Sequence, residues 1–503
     1  MLQPEPAAPT RVSGAGQTLG LVLLVAEGYA YLIGTIAVFG AVVAILAWGL
    51  LAREPVVGLL ALFLGAPTVL LTGAALRSLV FSAPEPNGVR LTSAAAPAMI
   101  RMVEEMRREV GCRTLDAVLV VSTCNASAFQ AGGRWRQRNV LLIGYPLLVV
   151  LSPDQLKAVV AHELAHFANG DSRLAGLVYR TRASWFRLVQ VLDERGTTPI
   201  FIRWVLSAYL PRLQAGSAEV ARAHEYFADR TAASVSGPRA AAEALCTNAV
   251  MGELLETKFW PSVAETAGIA DAPPRPFTSL GAATLLDNTA ANGAVLEGLL
   301  AAPTHRYDTH PSLSERLSAL RETPHAPVAP KRTAGETLLG PELTSIARQL
   351  DEEWLQKHGA AWRERDAAVR HAMARLAQLD GKQAITGEQL VERGRVLEEL
   401  KRASEALDAY QAALDRAPNN AEAALGAGRL LLAGGAAAGV DLVTRSMELD
   451  VRLVPAACEI LVDYSTSQRR FAEAERYRAR WARSTIRARL VEGHQPAPAL
   501  SPG

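Results

Sequence analysis

Residues 28–51 carry no charged side chain, and neither do residues 56–76; only Ala52, Arg53, Glu54 and Pro55 separate the two runs. At about 1.5 Å of rise per residue, each run can cross roughly 30 Å of hydrocarbon as a helix. Lipid offers no hydrogen bonds, so a single chain passing through it must pair its own backbone, which a helix does. The two runs therefore predict a transmembrane helical hairpin over residues 19–82, with Gly65 and Pro67 in the second span as membrane helices tolerate. The alternative is a helical hairpin buried in a soluble core. A cleaved leader fits badly, because the basic residues ahead of the first run are few and the run is too long. Arg11 precedes the pair and Arg77 and Arg90 follow it, against Arg53 in the turn, so the positive-inside rule puts both ends in the cytoplasm. The expectation is a two-span protein of the cell membrane with its remaining parts at the cytoplasmic face.

At 503 residues the chain needs more than one domain. Its formal net charge of +2, with no long basic stripe, argues against nucleic acid as a partner. The four cysteines, Cys112, Cys124, Cys246 and Cys458, lie far apart with no Cys-x-x-Cys spacing. They read as reduced thiols rather than a disulfide frame or a thiolate zinc site. Residues 1–18 and 491–503 are rich in Pro, Ala and Gly and read as disordered tails.

Between them, residues 83–322 read as one catalytic domain. Residues 93–110 have helical spacing, with Ile100, Val103, Met106 and Val110 on one side. Residues 117–121 and 139–144 read as strands, and residues 147–151 continue apolar. Ser152-Pro153-Asp154-Gln155 has the form of a helix start, with Ser at the N-cap, Pro at N1 and Gln at N3. The helix it opens contains His162-Glu163-Leu164-Ala165-His166, and Asn169-Gly170 supplies its stop. Residues four apart share a helix face, so His162 and His166 can aim two imidazoles at one divalent zinc ion. Glu163, rotated about 100° from His162, is placed to act as a general base on an activated water rather than as a ligand.

A catalytic site with two histidines needs a third protein ligand, commonly a carboxylate. Glu225 and Asp229 are four apart in one helical stretch, so Glu225 can bind the metal while Asp229 accepts a hydrogen bond from a ligand histidine. His224 is the rival ligand, but it would leave Asp229 on another face, so Glu225 is preferred. A third histidine shortly after the motif is excluded, since Ser172 stands at its position. Residues 172–213 are apolar but carry Arg180, Arg182, Arg187, Asp193, Glu194, Arg195 and Arg203, which favours amphipathic helices against the membrane or over the site.

The motif His162 to His166, the Asn169-Gly170-Asp171 that follows and the later Arg222-x-x-Glu225-x-x-x-Asp229 helix resemble the HtpX-like and CAAX-prenyl-protease (Ste-type) family of integral-membrane zinc metallopeptidases. The resemblance covers residues 20–320. It implies a zincin-like (gluzincin) domain with one Zn²⁺ held by His162, His166 and Glu225, with Glu163 activating water. Asn125, Ala126 and Phe129 are similar to the family's Asn-Ala-Phe edge segment, a place where substrate could add as a strand; Ser127 and Ala128 lengthen it here. Ala221 stands where the family usually has Ser, and a second membrane hairpin after the motif is not evident. His310-Pro311 with Arg316 matches a further family element. His310 could stabilise an oxyanion or occupy a fourth metal position; equally, it could cap a helix while Arg316 makes a buried ion pair.

Residues 323–340, with Pro324, Pro327 and Pro330, read as a linker and 341–385 as connecting helices. Over residues 386–490 a 34-residue period emerges: Gly394 and Gly428, Leu397 and Leu431, and Ala406, Val440 and Ala474. Leu390, Gly394, Leu397, Ala406, Tyr410, Ala413 and Pro418 sit at tetratricopeptide positions, so this part resembles three such repeats, an α-solenoid for a peptide or adaptor protein. An Ala-rich helical bundle is the alternative. The whole is expected to be α+β, mainly helical: a membrane-anchored zinc endopeptidase acting on protein or peptide substrates. A scaffold with a purely structural metal site is the other class, and a prenyl-peptide protease a third possibility.

Overall fold

The computed structural model describes residues 15–52, 87–131, 138–169, 200–305, 308–382 and 384–492, and the chain divides into two compact units. Unit 1 comprises residues 1–263 and 274–357; unit 2 comprises residues 264–273 and 358–503. Both are mainly helical.

Unit 1 begins with α1, Ala15–Leu51, a single unbroken helix. It contains the whole of the first expected span, and Ile33, Ile45, Trp48 and Leu51 stand exposed on it. The second expected span lies outside the described residues. Among the described residues no helix is long and apolar enough to cross a membrane.

A four-stranded mixed sheet follows in the order β1-β2-β4-β3, with β1 Val89–Leu91, β2 Ala117–Val121, β3 Ala126–Ala131 and β4 Arg138–Gly144. β2 is buried at every residue, as a β-branched run covered on both faces should be. It pairs parallel with β4 (Val118↔Leu141, Val120↔Ile143), and β3 pairs antiparallel with β4 (Ala126↔Ile143, Phe129↔Val140). β3 is thus the terminal strand on that side. Gly144 ends β4 where a Cβ would run into the Thr123 and Asn125 backbone, and its N–H donates to the Asn125 carbonyl at 2.8 Å. Between β1 and β2 lies α2, Pro97–Val110, which buries Met99, Met102, Val103 and Met106 and stops at left-handed Gly111. Ile100 and Val110, expected on the buried side, are only partly covered.

The apolar residues after β4 turn directly into helix α3, Tyr145–Val150, all of it buried. The Ser152 start is a capping box: Ser152 N–H donates to Gln155 Oε1 at 3.0 Å, and Gln155 N–H to Ser152 Oγ at 3.3 Å. It opens α4, Pro153–Asn169, whose Leu156, Val160, Ala161, Leu164 and Ala165 have no exposed surface. The period of those residues fixes which side of α4 enters the core, and so which side is left for the histidines.

α5, Ile200–Ser236, is the long partner of α4. Of the stretch expected to form amphipathic helices, residues 172–199 lie outside the described residues; the remainder opens α5. There Tyr209, fully buried, donates its hydroxyl to the Leu24 carbonyl at 3.0 Å and meets the Tyr31 ring edge-on. Arg212 pairs with Glu27 at 2.6 Å. Then come α6, Pro238–Leu254; α7, Thr289–Ala301; α8, Leu313–Leu320; and α9, Ala334–Leu338. The stretch read as a Pro-rich linker packs into this unit: Ala334 N–H donates to the Leu151 carbonyl at 2.7 Å, and Asn292 donates to the Pro327 carbonyl. A capping box of Thr333 and Glu336 starts α9.

α10, Glu342–Asp380, contributes its first part, to Lys357, to unit 1 and its remainder to unit 2. Within unit 2 the segment 264–273 docks on α10: Gly268 N–H donates to Asp366 at 2.7 Å, Trp362 Nε1 to Thr266 at 3.1 Å, and Arg370 to the Ala270 carbonyl at 2.6 Å. Three helix pairs complete the unit: α11 Gly387–Glu399 with α12 Ala403–Arg416, α13 Ala421–Ala433 with α14 Gly439–Leu449, and α15 Val454–Ser467 with α16 Phe471–Glu492. The Tyr410 ring lies between Gly394 and Gly426, where a Cβ on either would come within 2.6 Å of it. Gly428 lies as tightly against Gly439 and Val443.

Candidate metal centre

The outward face of α4 and the middle of α5 meet at one polar cluster. His162 and His166, one helical turn apart, bring their Nε2 atoms within 3.0 Å, their rings nearly perpendicular. From α5, Glu225 reaches both: Oε1 is 3.2 Å from His166 Nε2, and Oε2 is 3.6 Å from His162 Nε2. The three residues offer one ligand atom each, all within 4.8 Å of one another. His224, the rival, is not in that group, because the residue before Glu225 on the helix points about 100° away from it.

Asp229, one turn on from Glu225 and buried, lies with Oδ1 3.0 Å from His162 Nδ1. A carboxylate only accepts, so Nδ1 carries the proton and the imidazole is turned with Nε2 into the cluster. Arg316 of α8 closes the other side with a two-pronged contact to Asp229, 2.8 Å from Nε and 2.6 Å from Nη2. Its Nη2 is also 3.5 Å from Glu225 Oε2. Arg222 donates to the Asp308 carbonyl at 2.8 Å and so fastens the loop ahead of α8 to α5. The capping residue of α8 is Ser312, in a box with Glu315, and not His310. His310 instead places Nδ1 3.1 Å from Glu225 Oε1 while most of its side chain stays exposed.

Burial dominates the electrostatics of each group, and the partners decide the outcome. Burial disfavours charge on Glu225, yet His162, His166, His310 and Arg316 hold its carboxyl well below the usual range. Asp229 is held low in the same way, by Arg316 and then His162 against burial. Burial likewise opposes the His162 imidazolium, but Asp229 and Glu225 prevail and push it up to about 9. Glu163 goes the opposite way: burial raises its carboxyl, with His162 and His166 pulling against it.

The donor set suits a divalent cation. Glu225 Oε2 is buried without a hydrogen-bond partner, and two imidazole nitrogens face each other over a distance a cation would bridge. Two nitrogens and one carboxylate oxygen on adjacent helices are what zinc accepts. Of the expected substrate edge, Asn125 is exposed ahead of β3 and Ala126 buried in it; Phe129 is in the strand opposite Val140, and β3 packs beside α4. The buried ion pair of Arg316 is one of the two expectations for that segment; its partner Asp229 and the Arg222 contact to Asp308 join residues too far apart in the chain for spacing to reveal.

A His-x-x-x-His helix crossed by a helix bearing a buried carboxylate defines a metallopeptidase-type site. Residues 93–324 match the model of peptidase family M48. The chain is similar to "Protease HtpX" of Pseudomonas fluorescens, 27% identical over 238 residues, 44% of this chain and 70% of that one. It is also similar to "Protease HtpX homolog" of Pyrococcus furiosus, 33% identical over 162 residues, covering 30% of this chain and 55% of that one.

Proposed function

We propose that the chain is a membrane-anchored, zinc-dependent endopeptidase that cleaves protein substrates in the quality control of membrane proteins. The observation that carries this reading is the convergence of His162, His166 and Glu225, with Glu163 beside His162, inside a peptidase family M48 domain. His162, His166 and Glu225 would hold one Zn²⁺, and Asp229 and Arg316 would fix their orientation. Bound zinc would supply a Lewis acid that polarises the scissile carbonyl and lowers the pKa of water towards about 7. Glu163, its carboxyl raised by burial, takes the proton from the attacking water and returns it to the leaving amine. His310 is placed to donate to the oxyanion, or to take the fourth position at the metal. Substrate lies along β3 as an added strand beside Asn125, Ala126 and Phe129.

The membrane reading rests on the uncharged runs 28–51 and 56–76 as two spans and on the apolar side chains α1 exposes, Ile33, Ile45, Trp48 and Leu51. Both chain ends and the catalytic part would then be cytoplasmic. The helix pairs of unit 2 are read as tetratricopeptide-like repeats that bring adaptor or substrate proteins to the enzyme, since their first helices begin at Gly387, Ala421 and Val454 and the first two carry close-contact glycines 34 residues apart, Gly394 and Gly428. Purified full chain with Zn²⁺ should cleave an unfolded protein at least 1,000-fold faster than its Glu163→Gln variant, on the order expected when a general base is lost together with its electrostatic role. Equal rates would sink the proposal.

A further inference from the structure

We infer that α1 and α5 hold the metal centre about 20 Å from the membrane surface, so that the enzyme cuts membrane-tethered chains only at bonds about six or more residues beyond their last spanning residue. The inference deepens the membrane-anchored peptidase reading and rests on it. α1 and α5 pack antiparallel along one short stretch. The Leu24 side chain lies 3.0 Å from where a Cβ on Gly216 would sit, and the Leu24 carbonyl accepts the Tyr209 hydroxyl at 3.0 Å. Glu27 pairs with Arg212, and the Tyr31 ring meets the Tyr209 ring edge-on at 5.7 Å. As α1 runs from Leu24 to Tyr31, its partners in α5 run back from Gly216 to Tyr209. Gly28, on the same side of α1 as Leu24 and Tyr31, is buried.

This contact marks where the span leaves the bilayer. Beyond Glu27, α1 carries no charged residue up to Leu51, and Ala30, Ile33 and Ile45 stand exposed there, as side chains facing lipid do. Arg212 is half exposed and Glu27 partly so, and such a pair needs water or headgroups that hydrocarbon does not offer. Tyr31 and Tyr209 meet at the same level, and tyrosine is a ring that collects at a membrane–water boundary. From Arg212, α5 is an unbroken helix to Glu225. At about 1.5 Å per residue, those thirteen steps put the carboxylate ligand about 20 Å further on. Pro211 lies on the membrane side of Arg212, and the bend a helical proline makes falls in the turn before it, outside that stretch. Because α5 runs antiparallel to a helix that crosses the bilayer, this length is a height. An extended chain gains at most about 3.3–3.6 Å per residue, so about six residues must separate the end of a substrate's span from the nearest bond the centre can reach.

The test places zinc-loaded full-length protein in liposomes with a single-span substrate that carries an unfolded tail on the same side. The tail is chosen so that a soluble form, with a polar segment in place of the span, is cut across its first five positions. In the tethered form, cuts mapped by mass spectrometry should begin at about the sixth residue and be depleted about ten-fold or more before it. Spin labels give a readout without turnover. On Ala30→Cys and Ile33→Cys they should be reached by oxygen dissolved in lipid, and on Leu23→Cys and Phe227→Cys by a water-soluble nickel chelate. Glu27→Leu with Arg212→Leu removes the charged pair, so the boundary should slide by about one helical turn and bring Leu23 within reach of oxygen. Tethered tails cut within their first five residues as readily as soluble ones, a label at Phe227 inside the lipid, or a boundary unmoved in the double variant overturns the inference and leaves the peptidase reading standing. No cleavage of either tail above the Glu163→Gln level overturns the peptidase reading and the inference with it.

Discussion

Two helix contacts in this chain are built from opposite materials. Where α4 crosses α5, His162, His166, Glu225 and Asp229 meet in a buried polar cluster that needs Arg316 to balance its charge. Where α11 meets α12 and α13, the buried contact is apolar apart from one hydroxyl: Gly394 and Gly426 make room for the Tyr410 ring, whose hydroxyl donates to Glu398 of α11, and the pairs Arg429–Glu398 and Arg395–Glu422 join α11 to α13 nearer the surface. The first contact costs stability and is organised for chemistry; the second contributes stability and carries none. Removing a charge should therefore be felt at α4–α5 and adding a methyl at α11–α12, each with little effect on the other unit.

The largest effect is expected for Glu225→Ala. It removes the carboxylate ligand and leaves two imidazoles facing each other, so zinc content should fall from one per chain to near zero and cleavage by at least 1,000-fold. Metal analysis alongside the rate checks this, and full zinc occupancy in the variant would break the ligand assignment. The pH dependence has a definite sign. In the metal-free protein His162 stays protonated up to about 9, so zinc uptake at pH 7 must displace a proton from it. Zinc affinity should rise with pH between 6 and 8 and fall on acidification, as isothermal titration in buffers of different ionisation enthalpy would show.

Next in size is Arg316→Met. It leaves Asp229 buried with only His162, and breaking one side of a buried pair costs on the order of 3–5 kcal/mol. The Asp229 carboxyl is held low in the folded chain, so its contribution to stability is full above the unfolded value of about 3.9 and is lost as pH falls through the folded one. Removing Arg316 raises the folded value and moves acid unfolding of unit 1 to higher pH. Denaturant titrations at several pH values would check this, and an unchanged acid limb would break the account.

How legible these contacts were differs for the same reason. The α4 motif, its Ser152 start and the Glu225–Asp229 spacing are local patterns, fixed by helix geometry within a few residues. The 34-residue recurrence of Gly394 and Gly428 is likewise a matter of counting. Arg316 with Asp229 is not, because nothing in either segment names the other. The same holds for residues 323–340, where three prolines suggest a linker. The capping pair Thr333 and Glu336 and the small Ala334, which packs against α3 and α4, were the quieter signals of packing. Residues 264–273 have a turn-rich composition, and only α10 shows why Gly268 must be glycine: its φ is 84° and the Val369 side chain sits against it. Local spacing was readable; pairing across tens of residues was not.

The third expected effect sharpens the contrast from the other side. Gly394→Ala puts a methyl within 2.6 Å of the Tyr410 ring, which is wedged between two glycines and has no free direction to move. Overpacking of this kind costs about 1–3 kcal/mol. Unit 2 should melt earlier, while zinc content and cleavage of a short peptide by unit 1 stay at wild-type levels. Loss of peptide cleavage in this variant would mean that the helix pairs support the site directly, and the contrast between the two contacts would fail.

The smallest expected effect is Ser312→Ala. It removes the N-cap of α8, which accepts from the Glu315 N–H at 3.3 Å, at a cost of about 1 kcal/mol. The interest lies in where that loss goes. α8 carries Arg316 one turn in, and the loop before it carries His310. If cap and loop act only on stability, the melting temperature drops slightly and the cleavage profile is unchanged. If the cap sets the loop's register, KM for peptide substrates rises about two- to five-fold with kcat nearly constant, since uniform binding is weakened and the groups that move protons are untouched. The first outcome is expected, because the bonds that tie the loop to α8, from Ser312 N–H to Thr304 and to Glu315, are made by the backbone, which the substitution leaves in place.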